Sequence, residues 1–301
     1  MTSRSSRARV LATLLAALCL QGRPAAGGKV YISADMEGVA GAVTSDQLGP
    51  EGFEYARFRE FMTAEVLAAM EGARQAGATE FVVSDSHGNG QNLLIERFPA
   101  DVTVVRSWPR PLMMMEGIDA SFAAVVFIGY HTAATNPEGV RAHTISSATF
   151  ASVALNGRPV SEAGLNAAIA GHFGVPVVLV SGDDATVTEA RELLGEVEVA
   201  PVKRAITFHA AATRTPEAAQ ELIRTRARAA LGRLADFRPH RVAAPVTLEL
   251  VFKNYRPAEM LSLLPVVQRT AARTIRFTGK DILEVARFLE FVREYRADLS
   301  P

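Results

Sequence analysis

The chain has 301 residues, 49% of them hydrophobic, and a formal charge of zero, enough apolar material for one large or two modest domains and too much for a disordered chain. The balance hides an asymmetry. Residues 1–27 carry Arg4, Arg7, Arg9 and Arg23 and no acid, so beyond them the 32 basic residues fall to 28 against 32 acidic ones. No basic patch remains that would direct the protein to nucleic acid.

The first 27 residues read as a secretory signal: "MTSRSSRARV" is basic, "VLATLLAALCL" is apolar, and "PAAGG" is a small-residue exit. Cleavage is expected after Ala26 or Gly27, giving an exported protein, periplasmic or secreted. The apolar run is short for a membrane span, so no stable membrane insertion is expected after cleavage. An uncleaved N-terminal anchor is the alternative. Cys19, the single cysteine, lies in this leader. The mature chain then has no disulfide, thiolate ligand or cysteine nucleophile, and any metal must be held by His, Asp and Glu.

From Lys29 the elements follow a β-α-β rhythm. "KVYISA" reads as a strand, and Glu51 to Gln75 as a helix with Phe58, Met62, Val66 and Ala69 on one face. "TEFVVSD" is a strand, "NLLIERF" a short helix, "DVTVVR" a strand, and "FAAVVFIGY" a strand apolar enough to be covered on both faces. A hairpin turn falls at Asn156-Gly157. A helix from Ser161 to Phe173, strand "VPVVLVSG" and helix "TVTEARELLG" follow. After Lys203 come a charged helix, "VTLELVF", "RTIRFTG" and a final helix. The fold expected is α/β, a mostly parallel sheet flanked by helices over residues 28–203 and carrying the metal site, with a smaller C-terminal α+β domain over 204–301.

Asp35 and Glu37 stand two apart at the end of the first strand, with both side chains on one face. Alone, the pair reads as a solvated turn. His87 ends the second strand and His131 the most apolar one. Carboxyl ends of parallel strands share one edge, where ligands bind. Two carboxylates and two imidazoles without sulfur suit Zn²⁺ or a similar divalent ion, and a second metal bridged by an acid is open. Glu162 opens a helix, where the dipole alone favours an acid. His143 lies on the next extended segment, either a surface histidine or an acid, base or oxyanion stabiliser at the same edge. His172, His209 and His240 have no companions and read as structural.

The ordered set "SADMEG", "DSHG", "GYH", a histidine a dozen residues on, "GRPVSEAGLNA", "VSGDD" and "VKRAI" resembles the zinc-dependent D-aminopeptidases of the DppA type, from Lys29 to the C-terminal helix. The resemblance implies two zinc ions per subunit. Asp35 would bridge them, and Glu37, His87, His131 and Glu162 would complete the ligands. His143 falls on the position that the family assigns to catalysis. The activity implied is removal of the N-terminal, D-configured residue of short peptides by metal-activated water, with His143 stabilising the tetrahedral intermediate or relaying a proton. A direct nucleophilic role for His143 is the less economical version. The resemblance also implies a homo-oligomer, a decameric ring. Asp85 and Asp183 are candidates to orient ligand imidazoles or bind the substrate amine, although capping explains each equally well. Two other readings stand beside this one: another metal-dependent amidase or esterase, and an exported metal-containing binding protein without catalysis.

Overall fold

The computed structural model describes residues 28–295. The expected leader, with Cys19, lies outside the described residues. Among the described residues no helix is long and apolar enough to cross a membrane.

The first half is built from β1 (Lys29–Ala34), α1 (Ser45–Leu48), α2 (Tyr55–Gln75), β2 (Glu80–Asp85), β3 (Val102–Val105) and β4 (Phe122–Ile128). It continues with the hairpin β5 (Phe150–Leu155) and β6 (Arg158–Pro159), then α3 (Glu162–His172), β7 (Val177–Asp183) and α4 (Asp184–Leu194). The remainder is β8 (Glu198–Thr207), β9 (Ala210–Thr213), α5 (Pro216–Leu231), β10 (Val246–Phe252), α6 (Tyr255–Leu261), β11 (Val267–Ala271), β12 (Thr274–Gly279) and α7 (Ile282–Glu294).

Seven strands form one sheet in the order β3-β2-β1-β4-β7-β8-β9, parallel except for the β8–β9 pair. β1 alternates its side chains as a strand covered on both faces must. Val30 and Ile32 enter a core with Met62 and Val66 of α2 and Ile223 of α5. Tyr31 enters the opposite core with Leu165 of α3, Leu250 of β10 and Leu289 of α7.

The helix expected from Glu51 begins instead at Tyr55. Gly49, Pro50 and Gly52 precede it, and Gly52 N–H bonds to Gly49 C=O at 2.8 Å, which makes a turn of that segment. The four-residue α1 lies before the turn, closed by a Thr44–Gln47 capping box.

The expected division at residue 203 does not coincide with the layers. Lys203 lies inside β8 of the large sheet, and α5 packs on α2. The five-stranded antiparallel sheet β11-β12-β10-β5-β6 takes its last two strands from before residue 160. The reason is pairing: β10 needs partners on both edges, and the β5–β6 hairpin supplies one. A reading along the chain registers local pattern and cannot detect this long-range exchange of a hairpin.

Register places the site. Ala34 at the end of β1 pairs with Asp85 on one side and Ile128 on the other. The three strands thus finish level. The chain proceeds from β1 to β2 and β3 on one side and returns to place β4 on the other, so order reverses beside β1, where open α/β sheets bind ligands.

Candidate active site

The loops after β1 and β4 approach so closely that glycine is required in both. Gly38 N–H donates to Gly129 C=O at 2.7 Å. A Cβ on Gly38 would lie 2.0 Å from Tyr130 O, and Gly129 has φ +71° with Asp35 O 2.1 Å from its missing Cβ. This contact brings Asp35, Glu37 and His131 together.

All six residues singled out from the sequence converge. His87 Nδ1 stands 3.0 Å from Asp35 Oδ1 and 2.9 Å from Glu37 Oε2. His131 Nε2 stands 3.3 Å from Asp35 Oδ2 and 3.4 Å from Glu162 Oε1. His143 Nε2 lies 3.7 Å from Glu162 Oε1 and 4.0 Å from Glu37 Oε1, at the edge of the cluster. Glu162 does begin α3, capped by Ser161, but its carboxylate is buried, accepts the Ile145 N–H at 2.7 Å and faces His131. The helix-dipole reading of it therefore leaves most of its placement unexplained.

The histidine tautomers are fixed by the backbone. His87 Nε2 donates to Leu48 C=O at 2.6 Å and His131 Nδ1 to Thr132 C=O at 3.0 Å. In the neutral rings the remaining nitrogens, His87 Nδ1 and His131 Nε2, carry lone pairs aimed at carboxylate oxygens. Two acceptors facing one another in a buried space repel unless a cation lies between them. Asp35 Oδ2 and His131 Nε2 are buried and make no hydrogen bond. Ligand atoms of Asp35, Glu37 and His131 lie within 4.8 Å of one another, as do those of His131, His143 and Glu162. The donor set fits divalent metal of the zinc type.

Protonation reports the same deficit. Burial and the Glu37 charge push the Asp35 carboxyl up to about 6, against the pull of the facing His131 and His87 rings. Burial also raises Glu37, but the His87 charge and hydrogen bond outweigh it and hold the carboxyl well below its ordinary value. Burial disfavours charge on His87 and His131, yet the facing carboxylates hold both well above the ordinary imidazole value. Glu162, raised by burial, is brought down to about 2 by His131. His143 moves the other way: burial, then the neighbouring His131, lower it.

The cluster floors a cavity of about 220 Å³ with Trp108, Met113, Met114 and Arg293 in its walls. The sequence profile of the D-aminopeptidase family matches residues 29–291. The chain belongs to this family. A D-aminopeptidase of Bacillus subtilis (strain 168) is 35% identical over 257 residues, 85% of this chain and 93% of that one. The solved structure of the Zn-dependent D-aminopeptidase DppA from Bacillus subtilis, described as a self-compartmentalizing protease, matches with a TM-score of 0.85 at 33% identity. That match covers 88% of this chain and 97% of the other.

The D-aminopeptidase site rests on residues that the sequence reading did not assign. Buried Lys203 donates to the carbonyls of Glu37, Val39 and Ala42, pinning the loop that carries the acids. Burial lowers its ammonium to about 8. Glu65 on α2 accepts the Ala40 N–H of the same loop at 2.9 Å. The available signal for Lys203 is a charge, followed by Arg204, inside the otherwise apolar run "VAPVKRAI". Asp85 and Asp183 touch no imidazole. Asp85 accepts the Asn92 and Leu93 N–H groups, and Asp183 caps α4 through Thr186 and also accepts the Val140 N–H. Capping is the reading that holds for both, and in each case it fixes a loop that bears a site histidine.

Proposed function

We propose that this chain is a zinc-dependent aminopeptidase that hydrolyses the N-terminal, D-configured residue of short peptides. The single observation that carries the reading is the buried pair Asp35 Oδ2 and His131 Nε2, two unpartnered lone-pair atoms 3.3 Å apart in a family of D-aminopeptidases. Asp35, Glu37, His87, His131 and Glu162 would hold the metal, with Asp35 between two ions. Zinc bound there supplies a Lewis acid for the scissile carbonyl and brings the pKa of water to roughly 7.

The chain's own residues do the rest. Leu48 and Thr132 carbonyls orient the His87 and His131 rings, so no ring rotation is needed on binding. His143 donates through Nδ1 to Arg141 C=O at 2.8 Å, which leaves Nε2 as its working atom. Its lowered pKa keeps it neutral near pH 7, able to take a proton at Nε2 and return it to the leaving amine. Met113 and Met114 line the cavity and limit water around the reacting bond.

Export and assembly complete the reading. The leader supports a periplasmic or secreted protein, where wall-derived peptides carry D residues. The likeness to a self-compartmentalizing protease supports a homo-oligomer, a decamer by family resemblance. The test is a paired assay of D- and L-aminoacyl peptides with zinc quantified in the same sample. Zinc together with D-selective hydrolysis is expected. Zinc without hydrolysis of either series would favour a binding protein.

A further inference from the structure

The cavity above the acid–histidine cluster adjoins a second, outer cleft of about 660 Å³. The two share Gly88, Trp108, Ile145, Ser146, Ala148 and Arg293, and none of the cluster's acids or histidines lines the outer cleft. The shared residues form the throat between them. Arg293 is the one lysine or arginine, among the described residues, that lines either space.

Its guanidinium is held but not saturated. It stacks on Trp108, 4.0 Å from the ring centroid, while Arg110 stacks on the same ring at 3.7 Å. Arg110 is buried and occupied by Ser107 O, Ser84 Oγ and Asp85 O. Arg293 instead reaches Gly88 O at 3.3 Å, Glu294 at 3.2 Å and Glu290 at 3.6 Å, one contact from each of its nitrogens. A guanidinium has five donors, so one N–H on each terminal nitrogen remains. Two such groups side by side match a carboxylate in the two-pronged manner. Glu290 also accepts the Arg110 backbone N–H at 2.6 Å, which ties α7 to the Trp108 segment and fixes where Arg293 stands.

An aminopeptidase binds the first residue at the metal and directs the remainder away from it. Arg293 lines the same 220 Å³ space as the cluster and also its throat, so a short peptide whose first residue lies at the cluster directs its far end toward the guanidinium. We infer that Arg293, stacked on Trp108, is a specificity-determining residue that binds the free C-terminal carboxylate of dipeptide substrates. The inference rests on the aminopeptidase reading and adds the substrate's far end to it. Short peptides with a free carboxylate are then the preferred class, and peptides amidated at that end are poor substrates.

The test compares D-alanyl-D-alanine with its C-terminal amide on the zinc-loaded wild type, Arg293→Gln and Arg293→Lys. The wild type is expected to favour the free acid in kcat/KM. Arg293→Gln is expected to raise KM for the acid by about 10- to 100-fold, the loss of a charge-assisted pair, while the amide changes less than twofold. Arg293→Lys restores part of the affinity. Unchanged amide turnover also shows that the variant is folded. Equal losses on both substrates, or no wild-type preference, would overturn the assignment. A wild type that holds zinc and cleaves neither compound overturns the aminopeptidase reading and the subsite with it.

Discussion

His131 and His143 lie face to face, ring centroids 4.0 Å apart and planes within 9°. Two stacked imidazoles do not both hold a proton easily, and the carboxylates decide between them. Asp35 and Glu162 secure charge, or a metal, at His131. His143 is left neutral beside it. In the proposed mechanism one ring serves as ligand and its neighbour as proton carrier.

Replacing His143 with alanine therefore separates binding from turnover. The variant is expected to keep its zinc and lose about 10²- to 10⁴-fold in kcat, the ordinary contribution of a general acid–base group. Metal analysis and steady-state kinetics on one preparation check it. Undiminished turnover would remove His143 from the mechanism.

The pH profile carries a sign. Burial and His131 shift His143 below the ordinary imidazole value, so the acid limb of kcat/KM falls below pH 6.5 rather than above it. A second limb at about pH 7 belongs to the metal-bound water, so His143→Ala should remove the lower limb and keep the upper one. Survival of the lower limb in His143→Ala would contradict the assignment.

Lys203→Met tests the support under the acids. Three carbonyls, those of Glu37, Val39 and Ala42, lose their donor. Each buried acceptor left unsatisfied costs about 1–3 kcal/mol. A fall of several degrees in Tm is expected, with faster loss of zinc to a chelator. Retention of both properties would show that the loop does not depend on the ammonium.

Glu65 gives a stability prediction that avoids the metal ligands. Burial pushes its carboxyl up to about 7, against the Ala40 hydrogen bond and the Lys203 charge. The folded state then binds the proton more tightly than the unfolded one. Its contribution is full below the unfolded value of 4.5 and is lost as pH rises toward 7. The loss is roughly 3 kcal/mol at most, taking 1.36 kcal/mol per pH unit. Glu65→Gln should flatten the difference in Tm between pH 5 and pH 7.5 relative to wild type. An unaltered difference would place the titration elsewhere.

Much of the site was legible because it depends on strand ends. Asp35, Glu37, His87 and His131 each follow a recognisable apolar strand, and parallel strands finish at one edge. Glu162 and His143 are legible through resemblance to a family; by position alone Glu162 reads as a helix-dipole acid, and its burial and the bond it accepts from Ile145 N–H are long-range facts that the sequence does not display. Lys203 and Glu65 act through backbone carbonyls and N–H groups more than a hundred residues or a whole helix away, and no local pattern encodes such contacts. The β5–β6 hairpin escaped for the same reason. Its turn at Asn156-Gly157 is local, but its partner β10 lies about ninety residues on, and the choice of sheet is made there.

Anomalous diffraction at the zinc edge, on crystals of the unmodified protein, decides whether the acid–histidine cluster is a two-zinc site. Two zinc peaks are expected, with Asp35 between them and Glu37, His87, His131 and Glu162 around them, and both are expected to be lost in Asp35→Ala. A fully occupied zinc site elsewhere, or no peak at these residues in zinc-supplemented protein, would contradict it.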